Sequence, residues 1–531
     1  MKSYIHLYKT NSDFTEAYNS PNYEEPWLSL TEENNAINYS KTPPKVLTAI
    51  TFENLTWVTD IPATGGTATK DNCTYTIMAK YIGSEPEDIT SQVADNVTGE
   101  LVVVPSTIGQ RHEAGQLKLT AKYKGISCTG SVVAYQEAVD FTKEPLTFKI
   151  SSPGVINWTA SDSSLTKTIE YKLNDGNWAS ITSNKGELAP TITVNTGDKI
   201  QFRGNNTAYS DGEYKPYSTF IGSTAEFEIE GNIMSLINST NFASLTTLQS
   251  DYTFKSLFSE CTGLTSAENL ILPATTLTNG CYYCMFYGCK SLTTAPSLPA
   301  ITLASSCYSG MFWNCTSLAT APALPATTLH MYCYQYMFYG CKSLTTAPEL
   351  PATTLANFCY DNMFAGYCNS LTTAPSKLPA TTLAQNCYSE MFAGCGSLTT
   401  APKLSATTLA YQCCRSMFYN CTSLTTAPFI LPATTLDMYC YDSMFGNCRS
   451  LTTAPKLPAT KLKYNCYQNM FYGCTNLNYI KCLAEDISAT DSTKNWVRGV
   501  ASTGKFVKAA SMNDWTEGNN GIPTGWTVQD A

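Results

Sequence analysis

Along residues 280–475 the apolar positions return in one fixed order: a Cys, a Met-Phe pair, a second Cys, a Leu, and a Leu closing "ATTL". The stretch "MFYGCKSLTTAPELPATTL", Met337 to Leu355, is one copy. The Met-Phe pairs begin at Met285, Met311, Met337, Met363, Met391, Met417, Met444 and Met470, in steps of 26, 26, 26, 28, 26, 27 and 26 residues. A degenerate first copy starts at Leu257. A period in the twenties predicts a solenoid, because one copy cannot bury its own apolar face and copies must stack.

Positions that do not vary between copies should face the shared core. Phe286, Phe312, Phe338, Phe364, Phe392, Phe418, Phe445 and Phe471 are invariant and are expected as the bulky rung. Leu292, Leu318, Leu344, Leu371, Leu398, Leu424 and Leu451 supply a second rung, and the Leu of "ATTL" a third. The additional residues Tyr367 and Phe429 should bulge outward to keep register. The segment "CYQYMFYGC" predicts a short helix or 3₁₀ turn, since Cys, Met-Phe and Cys fall one or two turns apart. "SLTTA" predicts a strand of about 3–4 residues with Thr outward, ended by the Pro that follows. Strands of this kind stacked about 4.8 Å apart would form a parallel sheet.

The chain holds 22 Cys, of which sixteen form two series. One precedes Met-Phe (Cys281, Cys307, Cys333, Cys359, Cys387, Cys413, Cys440, Cys466), and one follows it (Cys289, Cys315, Cys341, Cys368, Cys395, Cys421, Cys448, Cys474). A Cys at a fixed place in every copy suits a small buried slot, so reduced core thiols are expected. Disulfides between neighbouring coils are the alternative. A metal is not expected: "CYYC", Cys281 to Cys284, is the one C-x-x-C, and His330 has no Cys at metal spacing.

The pattern M-F-x-x-C-x-S-L resembles the leucine-rich repeats of BspA-type bacterial surface proteins, whose repeats carry an "AFxxCxxLTxVxIP" core. This chain departs from it by writing "LTTAPxLP", one residue longer, with Ala and Pro where the family has branched aliphatics. A shorter or less regular strand follows. Upstream, "VLTAITFENLTWVTDIPATGGTATKDNCTYTIMAKY" and "GQLKLTAKYKGISCTGSVVAYQEA" alternate apolar and polar residues around Gly-Thr and Ser-Gly turns, the pattern of a sandwich. They are similar to the Ig-like and BACON-type modules common in proteins of gut Bacteroidetes and their phages. A second β module contains "LNDGNW", with a hairpin signal at Asp175-Gly176. Residues 1–44, rich in Tyr, Asn and Glu, resemble N-terminal segments of virion proteins of Bacteroidetes phages.

The expected fold is therefore β-rich and multidomain, with Ig-like β-sandwich modules followed by an α/β leucine-rich-repeat solenoid with short parallel strands. Its expected parts are an attachment segment at 1–44, an Ig-like or BACON-like sandwich at 45–138 and a second sandwich at 139–238. A solenoid of about nine coils at 239–482 and a C-terminal cap at 483–531 complete it.

Only 14% of residues are charged and the net charge is −9, with no Lys/Arg cluster, which argues against nucleic acid as partner. No run of about 18 apolar residues is present, so no membrane insertion is expected. The first residues lack the apolar run of a signal peptide, so the chain is expected to be made in the cytoplasm and to stay soluble.

Catalysis needs a base, a nucleophile or paired acids. The three His are His6, His112 and His330, and His112 in "QRHEAG" is expected in a solvated loop. Carboxylates do not recur at one place in the repeats, and no hydrolase, nucleotide or zinc-protease motif is present. No enzyme and no cofactor are expected. Positions that vary between copies are candidates for ligand contact. One set lies near the first Cys: Ser305, Tyr332, Phe358, Asn386, Tyr411, Gln412, Tyr439 and Tyr464. Another follows the Pro: Ser297, Glu349, Lys377, Lys403, Phe429 and Lys456. The row Tyr282, Tyr308, Tyr334, Tyr360, Tyr388, Tyr441 and Tyr467 either stacks sugars or packs between coils. From these positions the expected ligand contacts are Tyr308, Tyr332, Tyr334, Phe358, Tyr360, Tyr411, Tyr439, Tyr464, Lys403 and Lys456. The expected protein is a phage virion appendage of tail-fibre kind that recognises a bacterial surface glycan or protein. It would join other virion proteins through residues 1–44, with a homotrimer as one assembly. A BspA-like adhesin on the bacterial surface is the alternative.

Overall fold

Two units make up the chain, Met1–Asp140 and Phe141–Ala531. The computed structural model describes residues 4–5, 27–30, 37–40, 45–63, 65–104, 112–186 and 189–531. Most of the attachment segment expected at 1–44 lies outside the described residues. The architecture is mostly β. Among the described residues Thr90–Val93 is the one α-helical segment, and no sheet closes into a barrel.

In the first unit, strand Leu47–Trp57 pairs antiparallel with Cys73–Tyr81, and Gly66–Thr69 pairs with Glu100–Val103. Strands His112–Tyr123 and Ile126–Gln136 form a hairpin. Its two-residue loop has Lys124 at φ 46° and Gly125 at φ 86°, the backbone that matches strand twist in a tight hairpin. Alternation drives the pairing: Leu117, Leu119 and Ala121 point into the core with Ile77, Ala79 and Ala134. His112, expected in a loop, instead starts a strand opposite Gln136.

The second unit opens with a six-stranded sheet. Its order is Ala179–Thr182, Thr168–Leu173, Lys199–Arg203, Leu146–Ser152, Glu226–Asn232 and Leu264–Ile271. The hairpin signalled by Asp175-Gly176 forms between the first two. The last pair is parallel, and its outer strand belongs to the first repeat.

From there the backbone follows one rule. In each "CYQYMFYGC"-type run, alternate N–H groups close a turn within the coil and the others donate to the next coil. Tyr334 N donates to Cys359 O (3.0 Å), Tyr336 N to Asp361 O (3.1 Å) and Phe338 N to Met363 O (2.9 Å). Between them Gln335 N bonds Tyr332 O (3.2 Å), Met337 N bonds Tyr334 O (3.2 Å) and Tyr339 N bonds Tyr336 O (3.1 Å). Every fourth residue has positive φ: Tyr332 at 61°, Tyr336 at 56° and Gly340 at 71° in this coil. The helix or 3₁₀ turn expected here is thus replaced by consecutive turns. The left-handed residues reverse the chain and aim half of the donors outward, which a helix cannot do. At Gly340 a Cβ would sit 2.3 Å from Asn314 Oδ1, so a side chain there would have to displace that amide.

The strands expected from "SLTTA" are shorter than foreseen. Past the Pro, and outside "SLTTA", two-residue strands Lys377–Leu378 and Lys403–Leu404 pair in parallel. Elsewhere single parallel bridges join Thr320 to Thr346, Thr346 to Thr373 and Thr400 to Thr426. The Pro that follows removes one donor and interrupts the ladder, which resumes beyond it at Lys377, Lys403 and Lys456. A second bridge column, unforeseen, runs through the "ATTL" threonines Thr302, Thr328, Thr354, Thr382, Thr408 and Thr435.

Inside, the invariant Phe rings stack from Phe258 to Phe471 with centroids 5.4–5.8 Å apart and planes within 12°. Each such contact contributes about 0.5–1.5 kcal/mol beyond area burial. Tyr367 and Phe429 bulge outward, at 62% and 90% exposure. The column does not begin with the repeats. Phe220 stacks on Phe258 at 5.7 Å, and Phe220 N donates to Leu257 O at 3.0 Å. The sheet expected as a separate module at 139–238 therefore shares one core with the coils and closes their first edge. The tail continues the ladder for a further coil, with Phe471 N donating to Trp496 O (2.8 Å). Strands Tyr479–Cys482, Lys505–Lys508 and Thr527–Asp530 then pair in parallel over Trp496, Phe506 and Trp515.

Truncating one Phe rung leaves a ring-sized hole that neighbouring coils, tied by backbone bonds, cannot fill. Phe364→Ala is expected to cost about 3–5 kcal/mol in denaturant unfolding. Phe429→Ala is expected to leave the midpoint unchanged.

Candidate functional site

On the outer side of the two-threonine segments lies a groove of about 760 Å³. Three successive coils and the following strand build it. Thr400, Thr425, Thr426, Thr452 and Thr453 form its floor, with Phe429 and Tyr479 as aromatic elements and Lys403, Lys456 and Lys481 as cations. The parallel register sets this lining. Lys377 and Lys403 are direct Cα partners. Lys456 N donates to Phe429 O (3.0 Å), and Leu457 N to Lys481 O (3.0 Å). Lysines thus return at this register on four of five successive steps, with Ile430 taking the place between Lys403 and Lys456. Among the described residues none of Lys377, Lys403, Lys456 and Lys481 has an ion-pair partner, while Lys461, one row away, reaches Asp486 at 3.2 Å. Phe429 is the inserted residue of its copy, and its outward bulge leaves an exposed ring in the lining of the groove.

The candidate residues separate into three groups. Lys403 and Lys456 meet in the groove, together with Tyr479 and Lys481, which lie beyond the last full copy and were not foreseen. Lys377, Lys403 and Lys456 stood among the varied residues after the Pro, whereas Lys481 joins them only through the pairing register.

Tyr332, Phe358, Tyr411, Tyr439 and Tyr464 line none of this groove. They form two aromatic pairs or runs elsewhere on the coils. Tyr332 stacks on Phe358 at 4.9 Å, and Tyr439 meets Tyr411 at 5.8 Å and Tyr464 at 5.4 Å edge-on. Asn386 and Gln412 interrupt them, hydrogen-bonded to each other at 3.2 Å. Tyr332, Phe358 and Tyr439 hold φ of 58–61°, a conformation that bulky side chains rarely adopt.

Tyr308, Tyr334 and Tyr360 leave the ligand set. Each is 1% exposed and stacked at 5.7–5.9 Å in a second column inside the coils. A ring enclosed on both faces by its own neighbours cannot stack a sugar. Tyr360 Oη is buried without a partner, so its ring alone contributes.

All 22 cysteines are free thiols. The second series has a donor role: each Sγ from Cys289 to Cys474 lies 2.9–3.3 Å from the carbonyl oxygen of a Phe one coil back. Burial pushes these thiols up, to about 12 at Cys368 and Cys474, so they remain protonated donors.

One carboxyl is tuned by the coils. Asp361 is buried, and burial raises it to about 6 against hydrogen bonds from Gln335 Nε2 (2.9 Å) and Asn362 Nδ2 (3.0 Å). Asp442 is raised in the same way, while Arg415 joins it at 3.4 Å and Glu390 at 3.2 Å. These contacts bridge coils, and Asn362 and Glu390 line a shallow depression of about 170 Å³.

Residues 234–372 and 385–492 match the family described as BspA type Leucine rich repeat region, in six copies. No curated protein matches the chain.

Native chain treated with iodoacetamide is expected to be alkylated first at the half-buried Cys73 and Cys128. The ladder thiols should react only once denaturant is added, as peptide mass spectrometry would report. The Asp361 carboxyl binds its proton more tightly folded than unfolded. Its contribution to stability is therefore full below about pH 4 and is lost as pH rises through about 6. The stability difference between native chain and Asp361→Asn should shift by about 2–3 kcal/mol in favour of the variant from pH 4 to pH 7, measured by urea unfolding.

Proposed function

We propose that this chain, which carries BspA-type leucine-rich repeats, is a non-enzymatic binding protein of the adhesin kind acting at a bacterial surface. The coils are taken as a solenoid with short parallel ladders, and residues 45–138 as an Ig-like spacer. The observation that carries this is the open groove over the threonine ladder. Most of each coil is given over to stacking, yet here an exposed Phe and Lys residues without an ion-pair partner among the described residues are held in place by the backbone. Aromatic and cationic groups presented on a rigid scaffold cost little conformational entropy when they meet a partner.

The surface setting rests on the likeness of the repeats to those of BspA-type surface proteins. The virion setting leans on residues 1–44, most of which lie outside the described residues. No observation among the described residues favours it, so the adhesin is preferred.

Fluorescently labelled full chain should bind intact bacterial cells, read by flow cytometry. Phe429→Asp, with an unchanged melting temperature, should bind about fivefold more weakly or worse. Binding indifferent to every groove substitution, or release of reducing sugar from the cells, would contradict the proposal.

A further inference from the structure

We infer that the groove takes an acidic polysaccharide, a glycan strand bearing carboxylate or sulfate groups and lying across successive coils. This deepens the binding role proposed above and rests on it.

Charge is the first argument. The chain carries a net charge of −9, yet Lys377 and Lys403 are direct register partners, and past Ile430 on the next coil Lys456 and Lys481 continue the same column. Like charges stacked across a parallel ladder repel, and no carboxylate answers them among the described residues. Glu349, one coil before Lys377, is turned onto Ser376, whose N and Oγ donate to it at 2.9 and 3.0 Å. The lysine column is thus an unneutralised positive stripe on an acidic protein, and an anionic strand is its complement.

Hydroxyls are the second argument. The groove floor between the lysines consists of threonines, and the hydroxyl of Thr425 alone among its five threonines donates within the ladder, to Thr399 O at 3.2 Å. Free hydroxyls both donate and accept, which suits the hydroxyl-rich edge of a sugar chain. Phe429, at 90% exposure, offers an apolar face for the C–H side of a pyranose ring.

The periodicity also fits. Coil-to-coil ring spacings of 5.4–5.8 Å set the step of the column, which is close to the length one sugar contributes to an extended glycan. Lysines are point charges without the planar fork of arginine, so the column accepts carboxylate and sulfate alike. Nucleic acid is disfavoured because a single strand needs a series of stacking platforms, and the groove has one fully exposed ring.

The test is calorimetry on the full chain with four probes: polygalacturonate, chondroitin sulfate, neutral dextran and oligo(dT). At least one acidic glycan should bind. Its affinity should fall about tenfold or more in the Lys403→Gln/Lys456→Gln/Lys481→Gln variant and also when salt is raised from about 0.05 to 0.5 M. The corresponding Lys→Arg variant should retain binding, and both variants should melt with the native chain. Polygalacturonate against chondroitin sulfate identifies the anion. Acidic glycan binding that the Gln variant leaves unchanged, or oligo(dT) binding equally tightly, overturns the inference. If dextran binds through Phe429 while acidic glycans do not, the inference falls and the groove remains a binding face. If none of the probes binds and the groove variants bind cells like the native chain, both fall.

Discussion

Every coil of this protein depends on backbone N–H groups that cannot be satisfied inside it. In the turn run half of the donors point outward, and nearly all of them among the described residues find a carbonyl one coil further on. A buried amide without a partner costs about 1–3 kcal/mol, so a coil exposed on that side is unstable and the next coil is obligatory. The rings and thiols follow from this constraint. Once the backbones lock at a fixed step, identical Phe and Tyr side chains must fall above one another, and each Cys of the second series reaches a carbonyl of the preceding coil. At the two ends the same demand is met by different sequences, Phe220 and Tyr209 on one side and the Trp496 coil on the other.

The stacking itself was legible in the sequence, since the invariant Phe and Leu positions lie in the core. The conformation of the run was not. Cys333, Met337 and Cys341 recur every four residues, close enough to the 3.6 of a helix that apolar spacing does not separate the two. The distinguishing signal was polar: Asn362 and Gly366, or Asn465, Asn469 and Gly473, mark left-handed positions four apart. The Tyr row misled for a related reason. Tyr308, Tyr334 and Tyr360 directly follow a core Cys, and a polar-tipped ring at a fixed position fits a rim or an interior equally well until the turns are known. The tail coil was hidden because Trp496 and Val497 stand where Met and Phe would be, so the copy has no Met-Phe pair.

The candidate site was half legible. Lys403, Lys456 and Phe429 were visible as variable positions after an invariant Pro, whereas Tyr479 and Lys481 required the pairing register that brings them alongside. What distinguishes the groove from the rest of the surface is that its charges are stacked in phase. A rigid ladder holds them at fixed steps where side chains on a free loop would disperse.

The most direct test of the turn ladder is a pair of substitutions at Ser416, which holds φ 52° at a left-handed position. The unfolding free energies of Ser416→Gly and Ser416→Ala would be compared in urea. The account predicts that Gly is the more stable by about 1–2 kcal/mol, because Ala must be forced into the left-handed region. A helical run would reverse the order, with Ala the more stable by about 1 kcal/mol, and that result would contradict it.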